Sequence, residues 1–158
     1  MESKQRPFTI HLLTHNHWDR EWIFTAKYAN RWLPTFFENL FAMLEREPRY
    51  RFVLDGQMLI IEDYLRQLSP DEAAARARDI RRYAQSGQLQ IGPAYLQPDW
   101  SLVSGEALVR NLLIGCKMAR EYGPVMKAGW LLDNFGQVAQ APQIFKGFNI
   151  EGAFVWRG

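Results

Sequence analysis

The feature that most constrains the fold of this chain is the alternation of strand-like and helix-like patterns along its length. Short apolar runs typical of strands lie at residues 8–14, 50–55, 89–92, 127–133 and 153–156. They recur roughly every forty residues or fewer, and stretches with helical periodicity separate them. Such alternation favours βα units on a parallel sheet. We therefore predict an α/β fold, either an open doubly wound sheet or a portion of a β/α barrel.

The stretches between the strands are predicted to be helical at residues 33–46, 59–68, 69–87, 104–122 and 137–146. The clearest start is Ser69-Pro70-Asp71-Glu72, which combines a capping hydroxyl, a first-turn proline and an acid at the third helical position. Gly87 is a suitable left-handed residue for the end of that helix. The sequence after the first strand lacks a glycine-rich phosphate-binding loop, so nucleotide binding has little support.

Composition favours a single folded domain and argues against several classes of partner. The 158 residues are 47% hydrophobic and 14% aromatic, which argues against disorder. A formal net charge of +2 gives no reason to expect nucleic acid, and no apolar run reaches the roughly 18 residues of a membrane span. The single cysteine, Cys116, excludes an intramolecular disulfide and suits a reducing compartment. We therefore predict a cytoplasmic protein that binds neither nucleic acid nor membranes.

Polar side chains gather where the predicted strands end. His15, His17 and Asp19 are spaced by two, so in an extended chain they would face the same side with Cα atoms about 6.6 Å apart. Asp55 and Asp133 end the second and fourth predicted strands, and the carboxyl ends of parallel strands meet at one edge. Imidazole and carboxylate are ordinary zinc ligands. A metal or catalytic site and a solvated cluster of turn residues fit these residues about equally well.

The segment His15-Asn16-His17-Trp18-Asp19-Arg20-Glu21-Trp22 resembles the N-terminal metal motif of family 38 glycoside hydrolases, the zinc-dependent α-mannosidases. Further motifs follow in the family's order: Leu54-Asp55-Gly56-Gln57, Ile91-Gly92-Pro93, Leu102-Val103-Ser104-Gly105-Glu106, Arg110-Asn111-Leu112-Leu113, Asp133-Asn134-Phe135-Gly136-Gln137 and Trp156-Arg157-Gly158. The resemblance spans nearly the whole chain. The first motif and the Asp-x-Phe-Gly motif are specific to the family, whereas the others mainly confirm that the rest of the chain aligns with it.

The resemblance implies a set of site residues. His17 and Asp19 would bind zinc, and Asp133 would bind the same ion and act as the catalytic nucleophile of a retaining glycosidase. The substrate-binding residues would be Trp22, Asp55, Phe135 and Arg157, with Trp22 stacking on the sugar and Phe135 shaping the same pocket. His15 would support the end of the strand. The implied substrate is a mannoside or a mannose-containing oligosaccharide.

The resemblance also implies that residues 1–158 are the N-terminal portion of a larger catalytic domain. That domain is a seven-stranded β/α barrel in the family, whereas about five strands are predicted here. The family's fourth zinc ligand, a histidine, and its general acid lie further along, and no histidine follows His17. We therefore expect the isolated chain to lack glycosidase activity and to bind zinc weakly or not at all. Its exposed strand edges predict a homo-oligomer or association with the missing C-terminal part.

Two alternative functions remain open on sequence grounds. The first is a metal-dependent polysaccharide deacetylase or related hydrolase, which also uses aspartate and histidine ligands. The Asp-x-Phe-Gly segment disfavours it, because that chemistry does not need the nucleophile at Asp133. The second is a non-catalytic carbohydrate-binding or assembly fragment, which metal analysis would distinguish by the absence of bound zinc.

Overall fold

The computed structural model describes residues 8–157 and shows a mixed α/β fold with parallel strands, as predicted. The strands are β1 (Thr14–His15), β2 (Phe52–Val53), β3 (Leu89–Gln90), β4 (Ala128–Leu131) and β5 (Gly152–Val155). The helices are α1 (Ala26–Ala29), α2 (Leu33–Arg46), α3 (Leu59–Leu65), α4 (Pro70–Gln85), α5 (Gly105–Tyr122) and α6 (Ala141–Gly147). Short 3₁₀ turns occupy Asn30–Trp32 and Trp100–Leu102. Gly158, which ends the last family-like motif, lies outside the described residues.

The strands form two parallel sheets that follow the chain order. The first sheet has the order β1-β2-β3, with Thr14 paired to Phe52 and Phe52 to Leu89. The second pairs β4 with β5 over four positions, from Ala128 opposite Gly152 to Leu131 opposite Val155. A single parallel bridge between Ile91 and Val125 lies between the two sheets. This arrangement is consistent with an arc of a β/α barrel, in which each strand is followed by a helix.

The two best-predicted helices owe their boundaries to local sequence. In α2 a proline occupies the first turn, and one buried stripe faces the sheet, formed by Leu33, Phe37, Leu40, Phe41 and Leu44. In α4 the predicted capping box is present, because the Ser69 hydroxyl accepts from the Glu72 backbone N–H while the Glu72 carboxylate accepts from the Ser69 backbone N–H. Gly87 follows with φ of +76°, as the predicted helix end requires.

The main core lies between α2, α3, α4 and the first sheet. Phe37 stacks on Tyr64 with ring centroids 4.1 Å apart, and Phe41 stacks on Tyr83 at 5.9 Å. A second buried cluster joins α5 and α6 to β4, formed by Ala94, Trp100, Leu108, Leu112, Leu131, Ala141, Phe145 and Ile150. The α5 helix contributes to both clusters, because Ala119 packs in the first one. Within residues 8–157, no helix has the length and apolarity needed to cross a membrane.

Several predicted boundaries differ from the structure. The first strand was expected over residues 8–14, but only Thr14 and His15 pair with β2, and Phe8, Ile10 and Leu12 are exposed. An edge strand gains pairing from one neighbour only, so its apolar alternation is not enough to extend it. The short α1 helix was not predicted. The last helix begins at Ala141 rather than at Gln137, because Pro142 occupies its first turn.

Candidate functional site

A cleft of about 670 Å³ opens at the carboxyl ends of the strands, where the sequence places the polar cluster. Its lining combines the segment after β1, the loops after β2 and β3, and the segments after β4 and β5. The residues are His17, Trp18, Asp19, Arg20, Glu21, Trp22, Gln57, Leu59, Leu96, Gln97, Pro98, Asp99, Asp133, Phe135 and Arg157. Parallel α/β folds place their binding sites at this edge.

His17, Asp19 and Asp133 converge in this cleft. The Nε2 atom of His17 lies 3.1 Å from Asp19 Oδ1 and 3.1 Å from Asp133 Oδ2. One ligand-type atom from each residue lies within 4.8 Å of the other two. Two atoms bound at about 2.0–2.1 Å to a tetrahedral zinc ion are about 3.3 Å apart, so this spacing suits a metal centre. The chemistry of the donor set, one imidazole nitrogen and two carboxylate oxygens, also fits a divalent cation.

The route by which His17 and Asp19 meet differs from the predicted one. The strand ends at His15, and residues 16–24 continue as irregular backbone instead of a strand that reaches Asp19. The ring of His15 packs edge-on against Trp130 with centroids 5.4 Å apart, so His15 does not join the cluster. The family resemblance implies that His15 supports the end of the strand, and a ring packed against Trp130 is consistent with that position.

Asp55 lies behind His17, not on the wall of the cleft. Its carboxylate is buried, with 1% of the residue exposed, and Oδ1 accepts from His17 Nδ1 at 3.4 Å. Its Oδ2 accepts from the Trp18 backbone N–H at 2.8 Å and from Gln57 Nε2 at 2.7 Å. The predicted contact between Asp55 and substrate does not fit this burial. A carboxylate on Nδ1 instead leaves Nε2 to face the cluster, which is the usual support for a metal-binding histidine.

The same carboxylates control the protonation of His17. The hydrogen bond to Asp55 raises the pKa of His17 to about 9, and the negative charges of Asp55, Asp19 and Asp133 add to this rise. Partial burial of the ring opposes the shift. Near neutral pH the metal-free chain therefore holds a proton on His17, and a bound cation would displace it.

The Asp133 side of the cleft is held by a different set of contacts. The Arg157 guanidinium forms an ion pair with the Asp133 carboxylate and lies over the Phe135 ring, 5.0 Å from its centroid. Asn134, only 3% exposed, donates from Nδ2 to Gln97 Oε1 and to the Pro98 carbonyl, both at 2.9 Å. The structure therefore brings Phe135 and Arg157 to the cleft beside Asp133, and their contacts with substrate stay predictions.

Trp22 also lines the cleft, on an open part of its wall. Its side chain is 77% exposed, so one face is free to stack on a ligand. The neighbouring Arg20 is anchored instead, because its Nε donates to the buried carboxylate of Asp63 at 2.6 Å. This ion pair ties the segment that carries Asp19 and Trp22 to α3.

Sequence reasoning missed several residues that shape the site. Gln57, Gln97, Asn134 and Asp63 make the contacts that orient the ligand-type side chains. Gln57 and Asn134 lie inside motifs quoted for the family, but nothing in their spacing signals a role. Gln97 follows a segment rich in glycine and proline, without periodicity. Contacts of this kind depend on loops that meet only after folding.

Comparison with known proteins gives a consistent set of matches. The family described as "Glycosyl hydrolases family 38 N-terminal domain" matches residues 7–158. A protein named "Putative mannosylglycerate hydrolase" from Halalkalibacterium halodurans is 38% identical over 95% of this chain, which covers 16% of that protein. Human "Alpha-mannosidase 2C1" is 30% identical over 90% of this chain, which covers 13% of it.

A solved structure supports the same relationship at the level of the fold. The crystal structure of an alpha-mannosidase from Enterococcus faecalis V583 superposes with a TM-score of 0.82 and 33% identity. The match covers 90% of this chain and 16% of that one. The chain therefore spans about a sixth or less of the length of these relatives.

Proposed function

The chain belongs to glycosyl hydrolase family 38, and from that premise we propose that it carries the metal-binding and nucleophile-bearing part of a zinc-assisted, retaining α-mannosidase-type glycosidase. The observation that supports this most is the convergence of His17, Asp19 and Asp133 at one edge of the sheet. A deacetylase-like hydrolase has no comparable support, because the family match covers nearly the whole chain. We propose that residues 1–158 form the N-terminal portion of the catalytic domain.

His17, Asp19 and Asp133 would hold the zinc ion through one nitrogen and two carboxylate oxygens. When bound, zinc would supply Lewis-acid contacts to neighbouring hydroxyls of the sugar and help to distort its ring. Asp55 fixes the imidazole so that Nε2 faces the ion, and Arg20 anchors the segment that presents Asp19. These supports would reduce the ordering cost of binding the cation.

Asp133 would act as the nucleophile. Its carboxylate oxygen would form a bond to the anomeric carbon while the bond from that carbon to the aglycone oxygen breaks. The leaving oxygen takes a proton from a general acid, which the family resemblance places outside this chain. Water then cleaves the glycosyl ester, so the configuration is retained. The Arg157 guanidinium pairs with this carboxylate and would hold it in position between turnovers.

Aromatic side chains would bind the apolar face of the sugar. Trp22 and Phe135 both line the cleft and are exposed enough to contact a ligand. Stacking on a ring excludes water from one side of the substrate and positions the anomeric carbon near Asp133. A mannoside or a mannose-containing oligosaccharide is the proposed substrate.

A mannoside with a small acidic aglycone is a second candidate within this class. The name of the Halalkalibacterium halodurans relative indicates such a substrate for that protein. The guanidinium groups of Arg20 and Arg157 both border the cleft. Each is paired with a carboxylate, Asp63 or Asp133, and its remaining N–H groups would donate to an anionic leaving group. Calorimetry with zinc present would compare α-mannosyl glycerate with its neutral glyceramide analogue. Equal affinity for the two would argue against the acidic aglycone.

Zinc titration with matched variants tests the proposed centre. We expect weak binding by the 158-residue chain, and affinity at least about tenfold lower in His17→Ala and Asp133→Asn, because each removes one ligand. Gln88→Met, which removes a distant amide, is the control. Equal zinc affinity in the wild type and in Asp133→Asn would contradict the proposed zinc centre.

We expect no hydrolysis of an aryl α-mannoside by the chain alone, and measurable turnover would contradict that expectation.

We also propose that the open strand edges associate with a second copy or with the C-terminal part of the enzyme. Residues 8–13, which precede β1, and all four residues of β5 are exposed. Unpaired edges and apolar side chains favour association. A monomer at high concentration in light scattering would contradict the homo-oligomer. The cytoplasmic location stays a prediction.

A further inference from the structure

We propose that Gln97 is a positioning residue that holds the two sides of the cleft at a set separation. The inference rests on the proposed zinc site, because it assigns a role to a residue that contacts neither His17 nor Asp133 directly. Gln97 lies in the loop after β3, between the loop that carries Asp55 and the segment that follows β4. Its side-chain amide makes one hydrogen bond to each side.

The two bonds run in opposite directions from one planar group. Gln97 Nε2 donates to the backbone carbonyl of Asp55 at 3.2 Å. Gln97 Oε1 accepts from Asn134 Nδ2 at 2.9 Å. One amide therefore links the residue behind His17 to the residue next to Asp133.

Each bond leads on to a ligand-type side chain. On one side, the Asp55 carboxylate accepts from His17 Nδ1 and from the Trp18 backbone N–H. On the other side, Asn134 is almost fully buried and directly follows Asp133 in the chain, so its side chain fixes the local backbone. A substitution at Gln97 would therefore affect the position of His17 through Asp55 and the position of Asp133 through Asn134.

The backbone of the Gln97 loop is itself held firmly. The Asn111 side chain of α5 accepts from the Leu96 backbone N–H at 2.9 Å and donates to the Leu96 carbonyl at 2.8 Å. These paired bonds fix the residue immediately before Gln97. The amide thus acts from a rigid base rather than from a mobile loop.

The path of the side chain passes a glycine that leaves room for it. A Cβ atom at Gly56 would lie 2.9 Å from Gln97 Nε2 and 2.6 Å from Trp130 Cβ. Gly56 also has φ of +66°, a conformation that other residues rarely adopt. The close approach at Gly56 and the two hydrogen bonds together define one position for the amide.

Amide chemistry is needed because one bond uses a donor and the other an acceptor. Methionine has nearly the same length and shape as glutamine but makes neither bond. Asparagine keeps the amide but is shorter by one methylene group, so it cannot reach Asp55 and Asn134 together. Together, these two substitutions distinguish the effect of losing the hydrogen bonds from the effect of changing the volume of the side chain.

The test compares Gln97→Met with Gln88→Met, which removes an amide-to-carbonyl bond to Leu44 far from the cleft. Amide exchange is measured by NMR in the metal-free chain at Trp18, whose N–H donates to Asp55, and at Phe135, whose N–H donates to Asp99. In Gln97→Met we expect both amides to exchange at least about fivefold faster. We also expect zinc affinity about tenfold lower, as for other residues that support metal ligands. The control should change neither quantity.

The outcomes separate this inference from the proposed function. Unchanged exchange at either amide overturns the positioning role, as does unchanged zinc affinity in a chain whose His17→Ala variant loses zinc. Faster exchange at both amides in Gln97→Met, together with equal measurable zinc affinity in the wild type and in Asp133→Asn, supports the role of Gln97 and contradicts the zinc site. If Gln97→Met lowers the thermal midpoint, Gln97→Asn provides the deciding measurement, because it retains a polar amide side chain. We expect it to show the same faster exchange at both the Trp18 and the Phe135 amides.

Discussion

Two regions of the molecule cover their strands to different extents. The helix-backed region consists of β1–β3 and α2–α4, and the C-terminal region consists of β4, α6 and β5. Both residues of β2 are buried, Phe52 in the main core and Val53 against Met126 and Trp130, although the β1–β2 ladder has only two registered pairs. The β4–β5 ladder has four registered pairs, yet all four residues of β5 are exposed. Strand pairing and strand burial are therefore separate sources of order in this fold, and only burial supplies the hydrophobic stabilisation.

The same difference extends to the side chains around the strands. A broad apolar groove borders β5, with Val138, Pro142, Phe145 and Val155 among its lining residues. In parallel α/β folds such strands are covered on both faces. The site lies at the junction of the two regions, because His17 and Asp19 belong to the first and Asp133 to the second.

The largest expected effect contrasts a phenylalanine in each region. Phe37→Ala removes a fully buried ring stacked on Tyr64, and we expect a loss of about 3–5 kcal/mol in the free energy of unfolding. Phe154→Ala removes a ring that is 47% exposed on β5, and we expect a loss below about 1 kcal/mol. Urea denaturation of both variants measures the difference. Similar losses would show that β5 is as well packed as the main core.

A glycine in α5 tests whether the two regions unfold together. A Cβ atom at Gly115 would lie 2.1 Å from the Ala94 carbonyl carbon. Gly115→Ala would therefore push the backbone of α5 away from the backbone of the loop after β3, on which it packs. We expect a loss of about 1–3 kcal/mol. Gly105→Ala in the same helix meets nothing within 4 Å and should stay within about 0.5 kcal/mol of the wild type.

Because α5 contributes to both buried clusters, Gly115→Ala should lower the stability of both regions in one transition. Tryptophan fluorescence and far-UV circular dichroism, followed during thermal unfolding, measure this coupling. Two separated transitions in the variant would contradict it and would make the regions independent units.

The smallest expected effect concerns the pH dependence at the junction. The pKa of His17 is about 9 in the folded chain and near 6.5 in the unfolded one, so the protonated ring stabilises the metal-free fold. This contribution is fully present below about pH 6.5 and is lost as the pH rises through about 9. Its size is reduced by solvent screening, because about a third of the His17 side chain is exposed.

Denaturant unfolding in the presence of a chelator, compared at pH 6 and pH 9.5, measures the His17 contribution. His17→Gln should reduce the pH dependence in this window while leaving the rest of the curve unchanged. The same dependence in His17→Gln and in the wild type would assign the effect to other groups.

Much of the fold was predictable because its signals are local. The stripe of α2 and the capping box of α4 place both helices within a residue or two of their predicted bounds. The strands were less well predicted, since 8–14 contains the right alternation but lacks a second neighbour to pair with. For the site, the residue types and their positions after the strands predicted the cleft. The family resemblance predicted Asp133 as a ligand on its far side, and that role stays a prediction.

Local sequence was sufficient for the α/β class, for the helices and for the edge of the sheet at which polar residues meet, because periodicity and capping act within a few residues. Tertiary contacts alone decided that His15 turns toward Trp130, that Asp55 lies behind His17, and that Gln97 reaches Asp55. The last contact joins residues 42 positions apart. Such contacts leave no periodic trace, since they exist only after the helices have brought separate loops to one edge of the sheet.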